Sequence, residues 1–179
     1  PEGLVLIDGH HDVRASLELG ATYVPVKIVA DLSALSVEEF WKVAEEKGYV
    51  YPYAKGGSYR RPSKDFNEME DDSNRYFAAI TARKCLDERT DNTNTIGADY
   101  PLWVKVGKDI PFIEFRIADA LYQNGFTYNL AEEQNNPTGE SVEQAREILK
   151  AHPVRGLRLI DTRTYYADIP LLCTITLPQ

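Results

Sequence analysis

The apolar positions change their period several times along the chain, and each change marks an element. Leu4-Val5-Leu6-Ile7 is an unbroken apolar run ended by Asp8-Gly9, the pattern of a buried strand entering a turn. From His10 onward, Val13, Ala15, Leu17 and Leu19 fall at helical spacing, and Gly20 is placed as the stop. Tyr23-Val24-Pro25-Val26-Lys27-Ile28-Val29 is rich in β-branched residues and predicts a second strand, which Pro25 confines to a sheet edge or a strand start. Ser36-Val37-Glu38-Glu39 reads as a capping box. It opens a helix with Phe40, Val43 and Ala44 as its buried stripe and Gly48 as its end.

Beyond Gly48 the pattern loosens. Tyr49, Tyr51, Tyr53 and Tyr59 interleave with Pro52, Gly56, Gly57, Arg60, Arg61 and Pro62, which predicts an extended loop. Asp72-Ser73 caps a helix expected to run to about Leu86. A polar, turn-rich stretch follows to Pro111, broken by Leu102-Trp103-Val104. Asp91, Thr93 and Thr95 have part of the spacing of a calcium loop, but the Gly and Glu that such a loop needs do not follow, which excludes it. Phe112 to Asn124 predicts a helix with Phe112, Phe115, Ile117, Ala118 and Leu121 apolar and Gly125 as its stop. A polar linker at residues 132–139 leads to a helix built around residues 140–150. Leu157-Arg158-Leu159-Ile160 and residues 171–177 then read as strands.

Composition narrows the function classes. With 179 residues and 43% hydrophobic content, the chain can form one packed domain, or one domain with an appendage. A net charge of −8 argues against a protein that coats nucleic acid over a broad basic face, while leaving room for a small cationic cleft. Cys85 and Cys173 form no CxxC pair, so neither a zinc site nor a thioredoxin motif is indicated. Two buried thiols are expected, or one long-range disulfide if the protein is exported. No apolar run approaches the roughly 18–20 residues of a membrane span, so a soluble protein is expected. The chain opens at Pro1 without Met, as signal-peptide removal or trimming would leave it, and both cytoplasmic and exported locations stay open.

The segment with the densest chemistry is Ile7-Asp8-Gly9-His10-His11. A strand, a glycine turn and a helix N-terminus make an anion cradle from backbone alone, because the first helical N–H groups lack intrahelical partners and the macrodipole favours negative charge. Gly9 admits positive φ and close approach of a ligand. His10 and His11 can donate to phosphate, move a proton or bind a metal. Arg14, one turn on, can swing back over the loop as a phosphate clamp. Asp8 either caps the helix or orients an imidazole, and together with Asp12 it could help to hold a divalent ion. Adjacent helical side chains diverge by about 100°, so the two imidazoles serve different atoms. His152, before Pro153 at a helix end, reads as structural. A second constellation is Glu114, Arg116 and Asp119, with Arg116 and Asp119 at pairing distance along a helix. Arg60-Arg61 could form a cationic lid, although a solvated loop accounts for them as well.

Val5-Leu6-Ile7-Asp8-Gly9-His10-His11, followed by Arg14-Ala15, resembles the signature of the ParB/sulfiredoxin superfamily, in particular its branch of ParB-like nucleases. The likeness continues through Asp31-Leu32-Ser33, Phe40-Trp41 and Gly48-Tyr49-Val50-Tyr51-Pro52-Tyr53. It ends in Pro111-Phe112-Ile113-Glu114-Phe115-Arg116-Ile117-Ala118-Asp119, covering about residues 4–124. The resemblance implies an α+β fold, a small mixed sheet with flanking helices, in which the glycine turn and the following helix bind phosphate, commonly that of a nucleotide. Relatives include CTP-binding partition proteins, an ATP-using sulfinic acid reductase and a free-serine kinase.

On this reading residues 1–128 form the ParB/sulfiredoxin-like domain and residues 129–179 a C-terminal helix-and-strand extension. The implied cofactors are a nucleotide (ATP or CTP) and a divalent ion such as Mg. The implied partners are a phosphate-bearing small molecule or nucleic acid. The expected roles are Asp8, His10 and His11 in catalysis, Gly9, His11 and Arg14 on phosphate, and Asp12, Glu114, Arg116 and Asp119 lining a cleft.

The chain also departs from the pattern. Asp12 stands where the superfamily often has a phosphate-binding Arg, and His10 stands at the position of the sulfiredoxin nucleophilic Cys. Relatives carry a further N-terminal strand segment with a functional acidic residue or Gln, and the present sequence opens after that point. The expected function is a nuclease or a nucleotide-dependent phosphate-processing enzyme. The alternatives are a non-catalytic binding module and an interaction domain using the tyrosine-rich loop from Tyr49 to Tyr59.

Overall fold

The computed structural model describes residues 3–60, 72–83, 102–105, 110–133 and 136–160. The chain divides into two compact units. One comprises Pro1–Tyr53 and Tyr59–Glu70, the other Ala54–Ser58 and Asp71–Gln179.

The N-terminal unit carries two helices, each ended by local devices that the sequence announces. Helix α1 spans His10–Glu18. Gly20, at φ 83°, closes it as the Gly20 N–H donates to the Leu17 carbonyl and the Ala21 N–H to that of Ser16, the paired bonds of a Schellman stop. Helix α2 spans Val37–Glu46 and begins with a complete capping box. The Glu39 N–H donates to Ser36 Oγ at 3.3 Å, and the Ser36 N–H donates back to Glu39 Oε2 at 3.0 Å. The Ser36 bonds hold the Glu39 carboxyl below its usual range, and the Ser33 hydroxyl and N–H do the same for Asp31.

The two strands expected in this unit are not there. Residues 4–7 and 23–29 pair with no strand among the described residues, and Leu4, Tyr23 and Ile28 are exposed. β-branched content describes fitness for a pleated, half-covered surface, and without a pairing partner it does not make a strand. These two segments therefore contribute no strand to a sheet among the described residues. What holds of the expected fold is the mixed, helix-dominated character.

The C-terminal unit holds helix α3 (Ser73–Ile80), strands β1 (Ala82–Arg83) and β2 (Trp103–Lys105), helices α4 (Ile113–Gln123), α5 (Leu130–Glu133) and α6 (Gly139–Ala151), and strand β3 (Leu157–Leu159). The strands are ordered β1-β2-β3. β1 is parallel to β2, with Ala82 opposite Trp103, and β2 is antiparallel to β3, with Trp103 opposite Leu159.

Helix α3 is capped as expected, with the Arg75 N–H on Asp72 Oδ1, but it stops well before Leu86. The Thr81 hydroxyl donates back to the Phe77 carbonyl at 2.8 Å, and the Thr81 carbonyl accepts the Leu102 N–H at 2.9 Å. Pairing with β2 thus overrides the local preference to continue the helix. Phe77, Trp103, Ile117, Leu121, Tyr128 and Leu149 fill the core beneath these helices. The polar groups in that core are matched. Asn74 Nδ2 donates to the Phe126 carbonyl and Asn74 Oδ1 accepts the Tyr128 N–H, both at 2.8 Å, while Trp103 Nε1 donates to the Ala78 carbonyl at 2.9 Å. Burial pushes the Tyr128 phenol up to about 12, with the Glu133 charge adding to it. Cys85, Cys173, Arg61, the rejected calcium-like segment and the strand expected at residues 171–177 lie outside the described residues.

Candidate functional site

Every residue of the proposed phosphate turn belongs to the N-terminal unit. Asp8 turns its carboxylate onto the next peptide, where Oδ1 accepts the Gly9 N–H at 2.8 Å. Gly9 then takes φ 72° and ψ 24°, the left-handed conformation that delivers the chain into α1. The first intrahelical bond runs from the Val13 N–H to the Gly9 carbonyl at 3.0 Å, so the N–H groups of His11 and Asp12 precede the ladder. No side chain caps this helix. Asp8 therefore shapes the turn, and the N-terminal N–H groups of α1 carry no side-chain cap.

The side chains around the cradle are open to solvent. His10, His11 and Asp12 are exposed. Asp12 also places Oδ2 3.9 Å from where a Cβ on Gly9 would stand, so a carboxylate lies beside the turn. Arg14 is half-exposed and points toward the far end of the helix, with Nε donating to Glu18 Oε1 at 3.0 Å. Such an exposed i,i+4 pair contributes only about 0.3–0.5 kcal/mol, so it is readily exchanged for another anion. Glu18 as a competitor for Arg14 is a residue that the sequence reading missed, although the i,i+4 spacing signalled it. Among the described residues no three His, Cys, Asp or Glu side chains come together to hold a metal ion.

Glu114, Arg116 and Asp119 lie on α4 in the C-terminal unit. The helix opens at Phe112, which has φ 56°, the single positive value at a non-glycine residue among those described. Arg116, exposed, donates through Nε to the Pro111 carbonyl at 3.4 Å. Glu114 is half-buried. Asp119 is 8% exposed, and its Oδ1 accepts the Gly56 N–H at 3.0 Å, while Gln123 Nε2 donates to the Gly56 carbonyl at 3.0 Å. Lys55 Nζ lies 4.3 Å from the centre of the Tyr122 ring. Asp119 thus holds a Gly-Gly turn against its helix. Gly57 suits the turn through its φ of 85°, and a Cβ there would stand 2.8 Å from Gln123 Nε2 and displace it.

Comparison with known proteins gives these residues a context. None of the curated proteins matches the chain. Among solved structures, protein Atu1540 from Agrobacterium tumefaciens is similar with a TM-score of 0.54 and 26% identity, over 86% of this chain and 71% of that one. The family described as "Putative ParB-like nuclease" matches residues 2–95, which is more than half of the 179 residues. That span contains the Asp8 to His11 turn, α1, α2 and the tyrosine-rich segment. It ends before α4, so Glu114, Arg116 and Asp119 fall outside it. By the extent of that match, the chain belongs to the ParB-like nuclease family.

Proposed function

We propose that the protein processes a phosphate-bearing substrate at the Asp8-Gly9-His10-His11 turn, with phosphodiester hydrolysis as the reaction its family membership favours. The observation that carries this reading is the uncapped, left-handed entry into α1 beside two exposed imidazoles. The N–H groups of the first turn bind a phosphate oxygen and stabilise the charge that grows on it as water attacks. One imidazole takes the proton of the attacking water, and the other delivers a proton to the departing oxygen. Their divergence of about 100° around the helix suits two such separate atoms. Arg14, released from Glu18, balances the phosphate charge. The same cradle accepts the phosphate tail of a nucleotide such as ATP or CTP. No step is assigned to Mg, because the described residues do not gather the donors to hold it.

The test is activity on nucleotides and on DNA for His10→Ala and His11→Ala. Loss of one general acid or base is expected to slow turnover by about 10²- to 10⁴-fold. Parent-level activity in both variants removes the basis of the proposal. One observation favours a second reading, a non-catalytic binding module. The Asp12 carboxylate sits beside Gly9, where it repels an anion. That reading predicts no thermal stabilisation by nucleotides, whereas a working site at ligand concentrations about 100 times Kd adds about 2.7 kcal/mol.

A further inference from the structure

The chain contains one Asp-Gly pair, Asp8-Gly9, and one Asn-Gly pair, Asn124-Gly125. At both, the glycine nitrogen can close on the preceding side-chain carbonyl carbon, because glycine brings no Cβ to crowd the attack. The structure treats the two pairs in opposite ways. Asp8 is exposed, and its Oδ1 accepts the Gly9 N–H at 2.8 Å. Asp8 Cγ, one bond beyond that oxygen, is thereby held next to the nitrogen that would attack it, the proximity that a ring closure requires. The space around Gly9 is also open: the nearest atom that a Cβ there would meet is Asp12 Oδ2, at 3.9 Å. At the other pair both groups are engaged elsewhere. Asn124 is half-buried, its Nδ2 donates to the Ala120 carbonyl at 2.7 Å, and the Gly125 N–H donates to the Tyr122 carbonyl at 3.1 Å. Closing a ring there breaks both bonds at the end of α4, whereas at Asp8 it consumes the one bond that brings the two groups together.

We propose that Asp8-Gly9 is a site of spontaneous isoaspartate formation, a covalent ageing switch at the entry to α1, and that the fold shields Asn124-Gly125 from the equivalent reaction. The Gly9 nitrogen bonds to Cγ of the protonated Asp8 carboxyl, and the amide proton leaves with the carboxyl hydroxyl as water, giving a cyclic imide. Water then adds to either imide carbonyl. Opening at Cγ restores Asp8, while opening at the α-carbonyl leaves the main chain running through Cβ and Cγ. The net change is an isomerisation, with nothing oxidised or reduced and no co-reactant but water. The isomer carries one extra main-chain carbon before Gly9 and a free carboxylate where the Asp8 peptide carbonyl stood. The left-handed conformation of Gly9 and its carbonyl bond to the Val13 N–H set the first turn of α1, and a lengthened link disturbs both. The proposal concerns the turn to which phosphate processing is assigned, but it stands on the peptide geometry and not on that reading.

The experiment incubates the full chain for weeks in neutral buffer at physiological temperature, with and without guanidinium chloride, followed by tryptic digestion and mass spectrometry. The peptide of residues 1–14 reports on Asp8 and that of residues 117–146 on Asn124. In the folded chain the first peptide is expected to lose the mass of one water and then to regain its original mass at a new retention time. That late product, isolated, is expected to accept a methyl group from labelled S-adenosylmethionine through an isoaspartyl methyltransferase. Denaturant is expected to speed Asn124 deamidation at least about tenfold and to leave Asp8 conversion unchanged or slower. Gly9→Ala is expected to slow conversion about 10- to 100-fold. Asp8→Glu, which keeps the charge but must close a larger ring, is expected to abolish methyl acceptance in this peptide. Methyl acceptance kept in Asp8→Glu overturns the proposal by moving the reaction to Asp12. Faster conversion of Asp8 in denaturant than in the folded chain overturns it too, because the fold would then hold the pair apart. The readout is mass and not turnover, so a chain inactive on phosphate substrates still converts, and the two readings fail separately.

Discussion

The two units carry comparable helices but stabilise them differently. In the C-terminal unit Phe77, Trp103, Ile117, Leu121 and Tyr128 are wholly or almost wholly buried, and the polar atoms among them, on Asn74 and the Trp103 indole, have partners. In the N-terminal unit the buried apolar residues among those described are Phe40, Ala44 and Pro52, while Leu4, Leu19, Tyr23 and Ile28 face solvent. Its helices rest on devices of one turn: the Ser36 capping box, the stops at Gly20 and Gly48, and the Arg14–Glu18 pair. The histidine turn and the exposed tyrosines belong to this thinly packed unit. The geometry of the histidine turn is a matter of backbone conformation, set by Gly9.

The largest effect that would break this contrast is core truncation. Trp103→Ala removes the biggest buried side chain and its bond to the Ala78 carbonyl, and should cost about 3–5 kcal/mol in urea unfolding followed by circular dichroism. Phe40→Ala, on the buried face of α2, should cost visibly less, because few buried neighbours are left around the space it vacates. Equal losses for the two would show that the N-terminal unit is as well packed as the other, and the contrast would fall.

A smaller, local effect separates backbone conformation from crowding. Gly56 and Gly57 have φ of 84° and 85°, so alanine at either is strained by about 1–2 kcal/mol. A Cβ at Gly56 meets nothing within 4 Å, whereas one at Gly57 meets Gln123 Nε2 at 2.8 Å. Gly57→Ala is thus expected to be the more destabilising in thermal melts, by the loss of the Gln123 bond to the Gly56 carbonyl. In a Gln123→Ala background the two alanine variants should become alike. If they already match with Gln123 present, the turn is not clamped on α4 as described.

What the sequence made legible follows the range of the forces involved. Capping boxes and glycine stops act within a turn, so α1, α2 and α4 end where Gly20, Gly48 and Gly125 place them. The Gly9 turn was readable for the same reason. Long-range pairing was not. Nothing near Thr81 announces that its carbonyl will take the Leu102 N–H and end α3, and nothing in residues 23–29 says whether a partner strand exists. The Asp119 bond to Gly56 joins residues 63 apart in sequence, and the helical spacing that suggested an Arg116 partner carried no hint of it. The Gly-Gly pair was the one local sign of a close approach, and it did not say to what.

The smallest predicted effect tests the site most directly. The Arg14–Glu18 pair is exposed, so Glu18→Ala should change stability by no more than about 0.5 kcal/mol. Its consequence for the turn should be larger than its consequence for the fold. With Glu18 removed, Arg14 loses its carboxylate partner and can turn toward the N-terminus of α1, where a phosphate would sit. Titration with inorganic phosphate should then show affinity rising a few-fold over the parent, and Arg14→Ala should lower it. If both variants bind phosphate as the parent does, Arg14 is no more than one half of a surface pair, and the cradle consists of the Gly9 turn and the histidines alone.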